Sequence, residues 1–147
     1  MEKAKGIDVS HWQGRIDFDK VKSQGYSFVM INAGYGKYIS QKDENFEKNY
    51  AAARKAGLNI GTYWYSYALT EADALAEAKT FLEAVKGKMF EYPLAFDIED
   101  ASQSELPNAA INKIIEAFCD YLESNGCLLY TSPSPRGRSV SRMPSSA

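Results

Sequence analysis

Four short apolar runs of β-type composition alternate with four helical patterns, and this alternation limits the possible folds more than any other feature of the chain. The runs are residues 6–9 (GIDV), 26–33 (YSFVMINA), 58–66 (LNIGTYWYS) and 93–99 (PLAFDIE). Between them the apolar spacing predicts helices near 17–24, 43–56, 70–86 and 108–124. In the third, Thr70 can cap free amides with Asp73 three residues on, and Leu75, Ala78, Leu82 and Val85 form one apolar stripe. In the fourth, Ile111, Ile114, Ile115, Phe118 and Leu122 follow Pro107 at helical spacing. Gly25, Gly57, Gly87 and Gly126 each close a helical stretch where a left-handed residue is wanted. Such βα units build a parallel sheet with helices packed on it.

Size decides between two ways of completing that sheet. A parallel barrel takes eight strands and roughly 200–250 residues, whereas this chain has 147. A small open doubly wound sheet would close at this length. It would place a Gly-rich phosphate-binding turn after the first strand, however, and that turn here reads Asp8-Val9-Ser10-His11-Trp12-Gln13-Gly14. The expectation is an α/β, TIM-like barrel of which the first four βα units are present, spanning residues 5–126.

From Cys127 to Ala147 the composition changes, with six Ser, three Pro, three Arg and no acidic residue or Lys. This stretch resembles a translated sequencing adapter, so 127–147 is expected to be a non-native or disordered tail outside the fold. Removing its three Arg takes the formal charge from −2 to −5. Four strands alone would keep an unpaired edge and an uncovered apolar face, from which self-association and low activity of the chain are expected.

The acid-leaning charge offers no basic footprint for nucleic acid. No apolar run approaches the roughly 18–20 residues that span a bilayer, and the charged opening Met1-Glu2-Lys3-Ala4-Lys5 is unlike the apolar core of a signal peptide. Neither membrane insertion nor a nucleic-acid partner is expected. Cys119 and Cys127 are too few for a disulfide framework and lack zinc-ligand spacing; Cys119 falls on the apolar face of a helix and is read as core.

Acidic residues at strand ends carry the chemistry. Side chains alternate along a strand, so Asp97 and Glu99 share one face, roughly 6–7 Å apart along it. Both fall at the C-terminal end of the fourth run, where barrel active sites are built, and Asp8 holds the corresponding end of the first. Carboxylates gathered at one mouth raise one another's pKa, so one can keep a proton near neutrality and act as an acid. Tyr63 and Tyr65 share a face and are binding candidates if it is the barrel interior, which leaves Trp64 as core. His11 either touches substrate or bonds locally in its loop, Trp12 packs over the mouth, and Asp100 is read as a loop cap. Asp8, Asp97, Glu99 and Asp100 could alternatively hold a hard divalent ion such as Mg²⁺, as in a phosphodiester hydrolase. A groove of this kind could also bind sugar without cleaving it.

These residues carry a family pattern. Residues 5–14 (KGIDVSHWQG) with Ile16-Asp17-Phe18, then 28–36 (FVMINAGYG), Asp43-Glu44-Asn45-Phe46 with Asn49, 61–68 (GTYWYSYA) and 93–100 (PLAFDIED) resemble glycoside hydrolase family 25, the Chalaropsis-type lysozymes, in order and at family spacing. The resemblance implies a flattened barrel of five βα units and three further strands. It implies cleavage of the β-1,4 bond between N-acetylmuramic acid and N-acetylglucosamine in bacterial peptidoglycan, at the cell wall, by a secreted or phage-released enzyme. In it Glu99 would be the general acid, Asp97 would stabilise the developing positive charge or orient the acetamido group, and Asp8 would support both. Tyr63 would contact substrate, and neither metal nor organic cofactor would be required; Tyr65, His11, Asn32 and Tyr35 are the further candidates for substrate binding. The family's later strands have no counterpart in this chain.

Overall fold

The computed structural model describes residues 5–126 together with the strand segments 129–132 and 141–142. Strands β1 (Gly6–Val9), β2 (Phe28–Tyr35), β3 (Asn59–Tyr65) and β4 (Leu94–Asp97) alternate with helices α1 (Phe18–Ser23), α2 (Phe46–Lys55), α3 (Glu71–Val85) and α4 (Asn108–Ser124). The four strands pair in parallel and in chain order. Each element falls within the run or spacing that predicts it except β2, which continues two residues past 33 to Tyr35.

The sheet then continues. β5 (Leu129–Ser132) lies parallel to β4 and β6 (Ser141–Arg142) antiparallel to β5, so six strands are described. Both lie in the segment expected as a tail, the rest of which, like residues 1–4, lies outside the described residues. The backbone N–H and C=O groups along β4 form a ready template for a further strand, and Leu129-Tyr130-Thr131 has β-type composition. Among the described residues no helix is long and apolar enough to cross a membrane.

Strand alternation divides the sheet into two faces. Val29, Ile31, Ala33, Ile60, Thr62, Trp64, Leu94 and Phe96 are buried, while Asn32, Tyr63, Tyr65 and Asp97, alternating with them, are only half-buried on the other face. The register of β2 against β3 shifts between Asn32 and Gly34, a bulge that brings Tyr35 opposite Tyr65. Gly34 has no substitute there, because a Cβ would stand 2.6 Å from the Trp64 ring and 2.7 Å from the Gln41 carbonyl. The Trp64 Nε1–H in turn donates to the Gly36 carbonyl at 2.7 Å, in a turn where Gly36 takes a φ of +73°.

Aromatic rings join the sheet to its helices. Phe96 stacks on Phe118 of α4 with centroids 3.6 Å apart, Phe118 meets Phe81 of α3 at 5.9 Å, and Phe81 meets Trp64 at 5.4 Å. The α4 face is the one its spacing predicts, with Ile111, Ile114, Ile115, Phe118, Cys119 and Leu122 buried. The α3 face is corrected by one position: Ala74, Glu77, Ala78, Phe81, Ala84 and Val85 are buried, Leu82 is half-buried and Leu75 is exposed. Setting the Phe81 ring between Trp64 and Phe118 buries more apolar area than Leu75 offers, so the helix rotates to the ring. Thr70 caps α3 by accepting the Asp73 N–H at 3.1 Å, and Asp73 accepts the Leu69 N–H at 3.3 Å, one residue earlier than a capping box would.

Removing the ring at the middle of this ladder leaves a cavity among its neighbours. Phe118→Ala is expected to cost about 3–5 kcal/mol, read as a lowered urea midpoint at an unchanged slope; a loss below about 1 kcal/mol would show that the ladder is not the core's centre.

Candidate active site

The C-terminal ends of the parallel strands open into one cleft of about 570 Å³. β2 supplies Asn32 and Tyr35, β3 supplies Tyr63 and Tyr65, β4 supplies Asp97, and Glu99 follows two residues later; all six line it. β4 stops at Asp97, so Glu99 reaches the cleft from the loop and not from the strand. There Asp100 caps a single turn, Ala101–Gln103, by accepting the Ser102 N–H at 3.0 Å and the Ser102 hydroxyl at 2.6 Å. Asp100 thus has the loop-cap role expected of it, and it also accepts the Tyr65 hydroxyl at 3.1 Å.

The loop after β1 is built as tightly. Ser10 caps a one-turn helix, His11–Gln13, by accepting the Trp12 N–H at 3.2 Å, and the Gln13 side chain returns to the Ser10 N–H at 2.6 Å. Asp43 reaches across from the β2–α2 connection, with its Oδ2 lying 3.0 Å from both the His11 backbone nitrogen and His11 Nδ1. Its Oδ1 accepts the Asn45 N–H at 2.8 Å. The two readings of His11 are therefore not exclusive: the ring is anchored locally and also lines the cleft. With Nδ1–H donated to Asp43, a neutral ring keeps Nε2 as an acceptor. Trp12 is 82% exposed on the rim, its ring 4.4 Å from that of His11.

Asp8 is the outlier of the candidate carboxylates. Its residue is exposed at the margin and is not part of the cleft lining, yet it is near enough for its charge to act on Asp97 and Tyr63. Partial burial raises its own pKa. Asp97 is shifted most, up to about 7, first by burial, then by the charge of Glu99 and a hydrogen bond with it, and least by Asp8. Burial and the neighbouring Glu99 charge disfavour ionised Asp97, so its carboxyl keeps a proton to near neutrality. Asp97 Oδ1 is buried and has no hydrogen-bond partner. Burial pushes the Tyr63 hydroxyl up to about 12, against a hydrogen bond with Asn32 and with help from Asp8, Asp97 and Asp43. Burial and then Asp100 raise Tyr65. Both phenols stay protonated as donors.

Four lining residues are not singled out as site residues by the sequence: Ser10, Trp12, Asp43 and Tyr67. All four lie within family-like stretches, which is the available signal. Charged lining residues are acidic, with no Lys or Arg among them. Among the described residues no three His, Cys, Asp or Glu side chains gather in a group that could hold a metal ion.

Known proteins resemble this chain in sequence and fold. The model of the glycosyl hydrolases family 25 matches residues 7–134. The chain is 33% identical over 122 residues to the autolytic lysozyme of Clostridium acetobutylicum, a match covering 83% of this chain and 36% of that protein. It thus spans about a third of that relative's length. Lysozyme M1 of Streptomyces globisporus is 47% identical over 62 residues, 42% of this chain and 20% of that one. The bacterial lysozyme of Streptomyces coelicolor superposes with a TM-score of 0.75 at 31% identity, over 88% of this chain and 63% of that chain.

The raised Asp97 has a consequence for stability. Its carboxyl is ordinary in the unfolded chain, at 3.8, and near 7 in the folded one. Between those values the folded state binds more protons, so stability falls as pH rises through the window. The thermal midpoint is expected to drop by about 5 °C or more between pH 5 and pH 8, and Asp97→Asn is expected to shrink that drop. A midpoint that rises with pH over this range would contradict the assignment.

Proposed function

We propose, from the premise that this chain belongs to the glycosyl hydrolases of family 25, that its cleft hydrolyses the β-1,4 bond between N-acetylmuramic acid and N-acetylglucosamine in bacterial peptidoglycan. The observation that carries this reading is the juxtaposition of half-buried Asp97 and exposed Glu99 in an aromatic-lined cleft without Lys or Arg, where burial and Glu99 push the Asp97 carboxyl up to about 7. Phosphate-ester substrates fit poorly in such a lining, because acidic groups without Lys or Arg repel a polyanion. Sugar rings fit it well: Tyr35, Tyr65 and Tyr67 present faces to C–H surfaces, and the Tyr63 hydroxyl and Asn32 offer hydrogen bonds.

The proton's path follows from exposure. Asp97 is half-buried and Glu99 is exposed, so Glu99 is the member that meets a glycosidic oxygen. The single proton kept by Asp97 passes through Glu99 to the leaving oxygen as the bond from that oxygen to the anomeric carbon breaks, so the pair becomes doubly negative while the anomeric carbon becomes positive. Asp97 and the outlying Asp8 then stabilise that cation electrostatically. Water completes hydrolysis, and the pair recovers its proton as the water loses one. Among the matched relatives, one is by name an autolytic lysozyme and another a lysozyme, which supports the bacterial cell wall as the place of action.

Purified peptidoglycan treated with the chain, reduced with borohydride and analysed by mass spectrometry, is expected to yield new reducing ends on muramic acid. Glu99→Gln is expected to lower that yield on the order of 10²- to 10⁴-fold while glycan binding persists. New ends on glucosamine, or equal cleavage by the Glu99→Gln variant, would overturn the proposal. Binding by the unsubstituted chain without any cleavage would make it a wall-binding module instead.

A further inference from the structure

Beneath the cleft lies a second buried carboxyl that this chemistry leaves unused. Glu77, on the inner face of α3, is 1% exposed. An ionisable side chain costs free energy in that position, where an apolar residue would pack against the neighbouring Ala74, Ala78 and Phe81 without penalty. Its partners show what the cost maintains. Glu77 Oε1 accepts the Ser66 hydroxyl at 2.8 Å, and Oε2 accepts the Tyr67 N–H at 2.8 Å. Ser66 Oγ also accepts the Ala68 N–H at 3.1 Å and Gln103 Nε2–H at 3.0 Å. Gln103 Nε2 donates a second bond to the Ala68 carbonyl at 2.9 Å, and the Ser66 N–H donates to the Asp97 carbonyl at 2.9 Å.

The network therefore ties two loops to one helix. The β3–α3 loop carries Tyr67 next to Tyr65, and the β4–α4 loop carries Glu99, Asp100 and Gln103. Tyr67 is the centre of the aromatic wall, 5.2 Å from Tyr65 and 5.7 Å from Tyr35 between ring centroids. Past the Ser66–Asp97 backbone bond, which extends the β3–β4 pairing by one residue, neither loop belongs to a strand, so strand pairing does not set the positions of Tyr67 and Gln103. The charged groups that act on Glu77 are Asp73 of the same helix and Lys37 from the β2–α2 connection. Lys37 binds Asp73 at 3.1 Å, and no salt bridge joins it to Glu77.

We infer that Glu77 is a positioning residue for glycan binding, which through Ser66, the Tyr67 amide and Gln103 fixes the aromatic wall of the cleft relative to the Asp97–Glu99 pair. This rests on the proposed glycan-hydrolase reading. It adds that substrate affinity is set in part by a carboxyl that never meets the substrate.

The test compares Glu77→Leu, Glu77→Gln and the milder Ser66→Ala in the full chain, with Phe118→Ala as a control destabilised outside the network. Two readouts are taken: aromatic ¹H–¹³C NMR of the free protein, and affinity for a muramic-acid-containing tetrasaccharide alongside KM and kcat on peptidoglycan. Glu77→Leu is expected to move the Tyr65 and Tyr67 ring resonances, weaken tetrasaccharide affinity and raise KM about ten-fold, with kcat changed less than about three-fold. Ser66→Ala is expected to do the same to a smaller degree, and Glu77→Gln, which keeps one acceptor, to restore affinity to within about three-fold. Unmoved tyrosine resonances in both Glu77→Leu and Ser66→Ala would overturn the inference, as would an equal affinity loss in Phe118→Ala. If Glu77→Leu does not fold, Ser66→Ala decides. Moved resonances with no glycan binding by the unsubstituted chain would overturn the functional reading and leave the positioning network standing.

Discussion

Alternation along four parallel strands ties the cleft to the core. Phe96 is locked against Phe118 by a 3.6 Å ring stack, and the next residue, Asp97, is thereby fixed on the opposite face. Trp64, held by Phe81 and by its bond to the Gly36 carbonyl, does the same for Tyr63 and Tyr65 on either side of it. The face of the sheet on which the carboxyl pair and its aromatic neighbours stand is thus set by which residues enter the core.

Electrostatics then act on groups whose positions are already settled. Placing Asp97 half in the protein and beside Glu99 makes two simultaneous negative charges unfavourable, so one proton stays near neutrality. The surrounding groups keep that situation intact. Tyr63 and Tyr65 hold their own protons, and Asp43 is occupied with His11 and the start of α2. Asp100 is engaged by Ser102 and Tyr65. Asp97 is thus the carboxyl of the cleft lining that keeps a proton near neutrality, and the exposed Glu99 beside it is the open side through which that proton can leave.

How much of this is legible in the sequence follows from the range of each interaction. Strand and helix positions depend on spacing within a few residues, and the runs around Val29, Trp64 and Phe96 mark theirs plainly. Asp97 and Glu99 are legible because strand ends in a parallel sheet share one rim, and the family-like stretches point to the same residues. The α3 face reads one position off, since Leu75 and Phe81 compete for the core and only the positions of Trp64 and Phe118 decide between them. The Asp43–His11 contact joins residues 32 apart, and the Glu77 network spans two loops and a helix, so neither has a local signature. The strand Leu129–Ser132 is hidden by the composition of the residues after it, which outweighs its own β-type sequence.

The most direct measurement is a ¹³C titration of the carboxyl carbons in the folded chain, with aspartates and glutamates labelled and Asp97 assigned by comparison with Asp97→Asn. A carbon titrating at about 7, whose midpoint falls when Glu99 is replaced by Gln, is the result this account predicts. An Asp97 carbon that titrates with the ordinary aspartates, or is indifferent to residue 99, would contradict it.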